Sequence, residues 1–162
     1  MADVTVDVLD RGGLECDLNY LVEGNTLGSH DEPNPETDYV EIPVWNLVID
    51  HPDATILWDT GNHEDALDGH WPEGLKQAFY PHDVREHALV DDLAAAGYEL
   101  DDIDCVVQSH LHVDHAGGLH HFDGTDVPVH VHEEELKFAY YSAQTDEGSG
   151  AFFEGANMEL LR

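Results

Sequence analysis

Apolar and polar positions alternate at the beginning of the chain with the period of an extended strand. Val4, Val6 and Val8 are separated by Thr5 and Asp7, and this two-residue period predicts a half-buried strand. A second extended segment is predicted over residues 18–22. Glycine, prolines and polar residues over 26–38 then predict a surface loop.

Two apolar, β-branched segments follow, over residues 40–49 and 55–58. The Asp-His-Pro-Asp sequence between them is typical of a turn, so the two segments predict a hairpin. Pro43 donates no ladder hydrogen bond, and we therefore expect it at a sheet edge or at a bulge.

Residues 61–80 have no clear period and predict a long polar and aromatic loop. Asp83 then offers a helix N-cap, and Glu86 follows three residues later as in a capping box. Apolar residues from Leu89 onward fall on one helical face, and Gly97 predicts the helix end.

The rest of the chain alternates strands and helices. A buried strand is predicted over 103–107, another strand over 127–131 and a helix over 133–141, whereas the Gly-rich tail 145–162 has no clear pattern. Strands alternating with helices predict a layered α/β fold. With no repeat or linker, residues 1–162 are expected to form a single domain.

Charge is the least ordinary property of the composition. Five basic residues stand against 36 acidic ones, for a net charge of −31, and the acids are spread along the whole chain. Such a surface repels itself at low ionic strength and is screened by molar salt. We therefore expect a halophilic protein that binds neither nucleic acid nor an anionic membrane, because there is no basic patch.

The start of the chain has no basic segment followed by an apolar one, and no run approaches the ~18 apolar residues of a membrane span. A cytoplasmic location is the resulting expectation. Cys16 and Cys105 lack metal-ligand spacing to each other, and in a reducing compartment we expect both to be packing residues.

The strongest chemical signal is a cluster of metal-ligand side chains directly after the buried strand 103–107. His110, His112, Asp114 and His115 place four such side chains within six residues. Imidazole and carboxylate groups suit Zn²⁺, Fe²⁺, Mn²⁺ or Co²⁺. The chain has 13 histidines, so a chance pair would mean little, but four ligands in this register predict a metal site. The two glycines that follow are expected to let the backbone turn sharply beside it.

This His-x-His-x-Asp-His cluster resembles the hallmark of the metallo-β-lactamase superfamily. Within it the chain is similar to the N-acyl homoserine lactonases, through Ile-Pro-Val-Trp at 42–45, Ile-Leu-Trp-Asp-Thr-Gly at 56–61, the metal loop at 109–118 and the strand-to-helix passage at 127–135. The resemblance implies the αβ/βα layered fold of that superfamily, of which this chain covers the N-terminal αβ half.

The resemblance also implies roles for individual residues. His110 and His112 would bind one divalent ion, and Asp114 and His115 a second, with Zn²⁺ the first choice for both. A hydroxide bridging the ions would open the lactone ring, the reaction known as quorum quenching, and Asp114 would protonate the departing ring oxygen. Asp59 is a candidate to orient a ligand histidine, although a simple turn aspartate is an equal alternative.

In that family a second half of the chain completes the site with further ligands, whereas here the last histidine is His132. The expectation is a domain truncated on its C-terminal side, with three explanations left open: a longer reading frame, a partner chain that supplies the second half, or a homodimer. An isolated half is expected to expose an apolar sheet face.

Eight further histidines are weak candidates for a role at the site. His120, His121, His130 and His132 are weak candidates to replace missing ligands, and His63, His70, His82 and His87 are candidates for a substrate entrance, although most are expected to be surface residues. The alternatives to a lactonase acting on small lactones or esters are a thioesterase of the glyoxalase II type and an inactive metal-binding half-domain.

Overall fold

A computed structural model describes residues 3–144, so the predicted tail 145–162 lies outside the described residues. The strands are β1 (Thr5–Asp17), β2 (Tyr39–His51), β3 (Ala54–Trp58), β4 (Phe79–His82), β5 (Cys105–Val107) and β6 (Val129–His130). The helices are α1 (Glu73–Ala78), α2 (Leu89–Ala96), α3 (Val113–Ala116) and α4 (Glu133–Gln144), with 3₁₀ turns at Leu18–Tyr20, Ala66–Asp68, Leu100–Asp102 and Gly117–Phe122.

All six strands form one mixed sheet in the order β4-β1-β2-β3-β5-β6. The predicted hairpin is confirmed as β2–β3, and β3, β5 and β6 run parallel, as strands separated by crossover connections do. Pro43 pairs with Gly13 directly beside the register shift between Asp10 and Gly13, so its expected place at a bulge is confirmed.

One face of this sheet carries the main core. Leu9, Val48 and Leu57 project from neighbouring strands and pack against Leu89 and Leu93 of α2, all of them buried. Helices covering a sheet that includes parallel strands confirm the predicted α/β class.

The opposite face is apolar and exposed. Val8 is 60% exposed and Trp45 59%, and both lie on this face with Trp58 because they share a side in the strand register. The predicted half-buried strand is confirmed as β1, but its valines lie on the exposed side, since Leu9 on the other side packs into the core. Residues 3–144 supply no layer for this face, and the expected exposed apolar face is confirmed.

Local side-chain bonds explain why residues 18–22 are not extended. Asp17 accepts a hydrogen bond from the backbone N–H of Asn19 at 2.9 Å, and this contact starts a 3₁₀ turn at Leu18–Tyr20. An aspartate that bonds the backbone two residues later favours a turn over a strand.

Two further predictions need correction. Residues 61–80 are not one loop, because they contain a 3₁₀ turn, α1 and the beginning of β4. Asp83 does not cap a helix: its φ is +57°, and α2 begins only at Leu89. The predicted end of α2 at Gly97 is confirmed by a left-handed φ of +94°.

A fully buried cation joins β1 to the rest of the domain. Arg11 pairs with Asp92 of α2 at 2.6 Å and also donates to the carbonyls of His87 and Asn62. A buried charge of this kind requires a partner and hydrogen bonds to offset its desolvation.

Both cysteines are free. Among the helices of residues 3–144, none has the length and apolar character needed to cross a membrane.

Candidate metal centre

The predicted metal loop leaves the sheet at the carboxyl end of β5. His110 lies between β5 and α3, His112 is the residue before α3 and has extended backbone, and Asp114 and His115 lie in the single turn of α3. The change from extended to helical backbone turns all four side chains toward one cavity.

Short distances separate the four side chains. His110 Nε2 lies 3.0 Å from His112 Nδ1, and His115 Nε2 lies 3.3 Å from Asp114 Oδ2. The His110 and His115 rings are 4.0 Å apart between centroids. The structure therefore brings the four predicted residues together as two adjacent pairs.

Asp59 lies directly behind this group. Its Oδ2 lies 2.9 Å from His115 Nδ1, and it accepts hydrogen bonds from Ser109 N at 2.7 Å and Ser109 Oγ at 2.6 Å. Ser109 Oγ lies in turn 3.0 Å from His110 Nδ1. Because the hydroxyl gives its proton to Asp59, it accepts the proton of His110 Nδ1, and the lone pair of that ring is left on Nε2.

The backbone of Asp59 supports this placement. Its φ is +59°, a conformation that aspartate tolerates better than most residues. The Asp59 N–H donates to Val107 O at 2.9 Å, and Thr60 N donates to His115 O at 2.8 Å. The end of β3 is thus bonded to both sides of the metal loop.

The histidines of the loop differ in their protonation. Burial and the charge of neighbouring histidines lower the pKa of His110 and His112. Burial alone would also lower the pKa of His115, but its hydrogen bonds to Asp114 and Asp59 raise it to about 9. At neutral pH His110 and His112 are therefore neutral, whereas His115 must release a proton before it can bind a metal.

Gly117 and Gly118 allow a close backbone approach, and the expectation of a sharp turn is wrong. Gly117 has a helical φ of −63°. A Cβ on Gly117 would lie 2.7 Å from Gly61 O, and one on Gly118 would lie 2.6 Å from Thr60 O. Residues without side chains are required here so that the loop can pack against the segment after β3.

The loop opens on a cavity of about 300 Å³. The four predicted ligands occupy one side, and the remaining lining is apolar or aromatic: Leu14, Tyr20, Leu21, Ile42, Trp71, Leu75, Phe79 and Val113. A polar cluster facing an apolar surface is typical of sites for small amphiphilic ligands.

The donor set fits a divalent transition-metal ion. Imidazole nitrogens 3.0 Å apart are close enough to bind one ion together, and the Asp59 contact on His115 Nδ1 leaves Nε2 for a metal. That His110, His112, Asp114 and His115 are metal ligands stays a prediction.

The structure divides the eight further histidines named as weak candidates into two groups. His63, His70, His120 and His121 come together in one cluster beside the metal loop. The other four do not join it: His82 contacts Asp83, His87 contacts Asp92, and His130 and His132 are exposed.

Three further residues of this region were not predicted from the sequence. Ser109 connects Asp59 to His110, Glu135 of α4 accepts a hydrogen bond from Leu111 N at 2.9 Å, and Glu64 lies within the second histidine cluster. Ser109 could have been noticed in the sequence, because its hydroxyl directly precedes the His-x-His-x-Asp-His motif. Glu135 is 24 residues from its partner, and no local pattern indicates that contact.

Comparison with known proteins fits this geometry. The profile described as the metallo-β-lactamase superfamily matches residues 40–153, more than half of the chain. The chain belongs to this superfamily.

Curated relatives narrow the resemblance. The chain is 33% identical over 138 residues to the N-acyl homoserine lactonase AiiB of Agrobacterium fabrum, a match that covers 83% of this chain and 50% of the relative. It is 34% identical over 133 residues to an N-acyl homoserine lactonase of Bacillus thuringiensis, covering 76% and 51%. The similarity to the lactonase branch of the superfamily is confirmed, and the chain spans about half the length of the curated relatives it matches.

A solved structure of a lactone hydrolase is also similar to this chain. An N-acyl homoserine lactone hydrolase with N-hexanoyl-L-homoserine bound at its catalytic metal centre superposes with a TM-score of 0.70 and 27% identity. The superposition covers 91% of this chain and 54% of that one. The predicted metallo-β-lactamase-like fold, present here as about half of its length, is confirmed.

Proposed function

We propose that this chain supplies the metal loop and one side of the substrate cavity to a hydrolase that opens the lactone ring of N-acyl homoserine lactones. The observation that supports this most directly is the cavity in which His110, His112, Asp114 and His115 face an apolar surface. An N-acyl homoserine lactone has the matching character, with a polar ring at one end and an apolar acyl chain at the other.

In this proposal His110 and His112 hold one divalent ion, and Asp114 and His115 hold the second. Zn²⁺ is the first choice for nitrogen and carboxylate ligands, with Fe, Mn and Co as alternatives. When bound, such ions polarise the lactone carbonyl and lower the pKa of water beside it.

Asp114 is proposed to transfer a proton from the attacking water to the departing ring oxygen. Burial alone would raise the pKa of Asp114, but its hydrogen bond and charge interaction with His115 lower it. The resting carboxylate is therefore ionised and has no proton to give. It must first accept one from the attacking water, and it then donates that proton to the ring oxygen as the C–O bond breaks.

The apolar side of the cavity is proposed to bind the acyl chain. Leu14, Ile42 and Phe79 come from three neighbouring strands, and Trp71 and Leu75 come from α1 and the residues before it. Apolar surface buried on these residues contributes about 25 cal/mol per Å², which favours longer acyl chains until the cavity is filled.

The test is turnover by the zinc-loaded chain in molar potassium chloride. We expect ring opening of N-hexanoyl-homoserine lactone, detected as acid release at constant pH, and its loss in a His110→Ala/His112→Ala variant. His30→Gln/His130→Gln is the matched control, because it removes two exposed histidines outside the loop.

The other outcomes identify the alternatives. A zinc-loaded chain that hydrolyses a glutathione thioester and leaves lactones intact is a thioesterase of the glyoxalase II type. A chain that binds zinc, is a homodimer by light scattering and hydrolyses neither substrate is an inactive metal-binding half-domain. Either result contradicts the lactonase proposal.

The exposed sheet face around Val8, Trp45 and Trp58 supports a proposal about assembly. A second layer, from a longer reading frame, a partner chain or a second copy, would cover this face and complete the site. Light scattering of the purified chain distinguishes a homodimer from a monomer that needs a different partner.

A further inference from the structure

A second cluster of ligand-type side chains lies beside the segment that follows the metal loop. His63 stacks on His70 at 3.6 Å and on His120 at 4.3 Å between ring centroids, and His121 lies 4.0 Å from His120. None of these side chains lines the cavity onto which the metal loop opens.

Glu64 lies at the centre of this cluster. Its Oε1 is 3.4 Å from His120 Nε2, and its Oε2 is 3.7 Å from His121 Nε2 and 4.0 Å from His63 Nδ1. Glu64 Oε2 and His121 Nε2 are buried and have no hydrogen-bond partner. Buried polar atoms of this kind require an explanation, and a bound ion is one of the ordinary ones.

The orientation of His120 is that of a metal ligand. Its Nδ1 lies 2.9 Å from Gly117 O, and because a carbonyl only accepts, Nδ1 carries the proton. In the neutral ring the lone pair is then on Nε2, facing the Glu64 carboxylate. A cation between this nitrogen and the carboxylate would be bound by both groups.

The neighbouring rings are neutral at pH 7. Burial and nearby histidines lower the pKa of His63 and His121 and bring that of His70 to about 4. Neutral imidazole is the form that binds metals. The nearby positive charge of Arg11 is paired with Asp92 at 2.6 Å.

We propose that His63, Glu64 and His120 bind a divalent transition-metal ion such as Zn²⁺, in addition to the ions of the 110–115 loop. One ligand atom from each of the three residues lies within 4.8 Å of the other two, and His121 faces the same carboxylate as a fourth side chain. Three nitrogens and one carboxylate oxygen suit tetrahedral zinc. His63 Nδ1 accepts from Asp65 N at 3.0 Å, and coordination through Nδ1 would replace that bond.

Such an ion would join two segments that are distant in the sequence. His63 and Glu64 follow β3, whereas His120 and His121 lie in the 3₁₀ turn Gly117–Phe122 that continues the metal loop. The ion would hold the turn against the segment after β3, and so fix the C-terminal end of the loop.

The test separates this site from the loop. Zinc per chain is measured by atomic emission after desalting in molar potassium chloride, in a variant whose loop is disabled by His110→Ala, His112→Ala and His115→Ala. We expect one retained ion, its loss on adding His63→Gln and His120→Gln, and its retention when His30→Gln and His130→Gln are added instead. Zinc should also raise the melting temperature of the disabled-loop variant only while His63 and His120 are present.

A disabled-loop variant that folds, by circular dichroism, but holds no zinc overturns the proposal. So does a retained ion that survives His63→Gln and His120→Gln. If the disabled-loop variant does not fold, the two glutamine substitutions are placed in the otherwise unchanged chain. There they should lower the zinc content by one ion per chain, and an unchanged content overturns the proposal.

Discussion

Asp59 Oδ2 lies 2.9 Å from His115 Nδ1, although the two residues are 56 positions apart in the chain. This contact fixes the orientation of the His115 ring and leaves its Nε2 toward Asp114. The same carboxylate accepts two hydrogen bonds from Ser109, so one side chain holds both ends of the metal loop. The alternative of a simple turn aspartate does not account for these three contacts.

Asp59→Asn should weaken zinc binding while keeping the backbone, because asparagine also tolerates a positive φ. Losing the carboxylate lowers the basicity of His115, and contacts of this kind contribute 10- to 100-fold in metal affinity. We expect a loss of about that size at pH 9, where protons no longer compete strongly for His115. Competition with a chromophoric chelator measures it.

The affinity of the Asp59→Asn variant should also rise less steeply between pH 7 and 9 than that of the wild type, since the pKa of His115 falls when the carboxylate is lost. Asp31→Asn, at an exposed position outside the site, is the control. Equal zinc affinities of wild type and Asp59→Asn at pH 9 would contradict the role given to Asp59.

The raised pKa of His115, about 9, makes the stability of the metal-free protein depend on pH. A pKa above the ordinary 6.5 means that the folded state favours the protonated ring. The contribution to the free energy of unfolding is therefore complete below pH 6.5 and is lost as the pH rises through 9. Urea unfolding in the presence of a chelator should show wild type more stable than His115→Gln at pH 6, with the difference shrinking by pH 9.5. A stability difference that grows with pH would contradict the raised pKa of His115.

Gly117→Ala should destabilise the protein, because the added Cβ meets backbone atoms of Gly61 and Asn62 at 2.7 Å. Backbone cannot move aside as a flexible side chain does, and overpacking of this kind costs roughly 1–3 kcal/mol. Gly74→Ala is the matched control: it lies in α1 with nothing within 4 Å, and helix propensity predicts no loss or a gain of up to about 1 kcal/mol. Thermal unfolding compares the two, and an unaffected Gly117→Ala variant would contradict the close approach described here.

The net charge of −31 predicts stabilisation by salt. The screening length falls from about 10 Å at 0.1 M to about 3 Å at 1 M, and repulsion between surface carboxylates falls with it. We expect the melting temperature to rise by at least about 4 °C between 0.1 and 2 M potassium chloride, or roughly 1 kcal/mol for a chain of this size. Sodium chloride at equal ionic strength should give the same rise, because screening does not depend on the cation. A constant melting temperature would argue against the halophilic interpretation.

Short-range patterns in the sequence predicted the hairpin, the buried strand before the metal loop and the end of α2 at Gly97. Each of these depends on residues within a few positions of one another. The same reasoning failed where a local bond or a positive φ changed the outcome, as at Asp17 and Asp83. It also assigned the valine side of β1 to the wrong environment, since alternation identifies two faces but not which one is covered.

The sequence by itself determined the α/β class, the four ligand-type residues of the metal loop and the superfamily, because a strand period and a six-residue motif are both local. Only the tertiary structure decided that Asp59 contacts His115, that Glu135 holds Leu111, and that Glu64 meets His120. Those pairs are 56, 24 and 56 positions apart. Their contact depends on sheet order and on the close packing at Gly117, and no short segment of the chain predicts either of them.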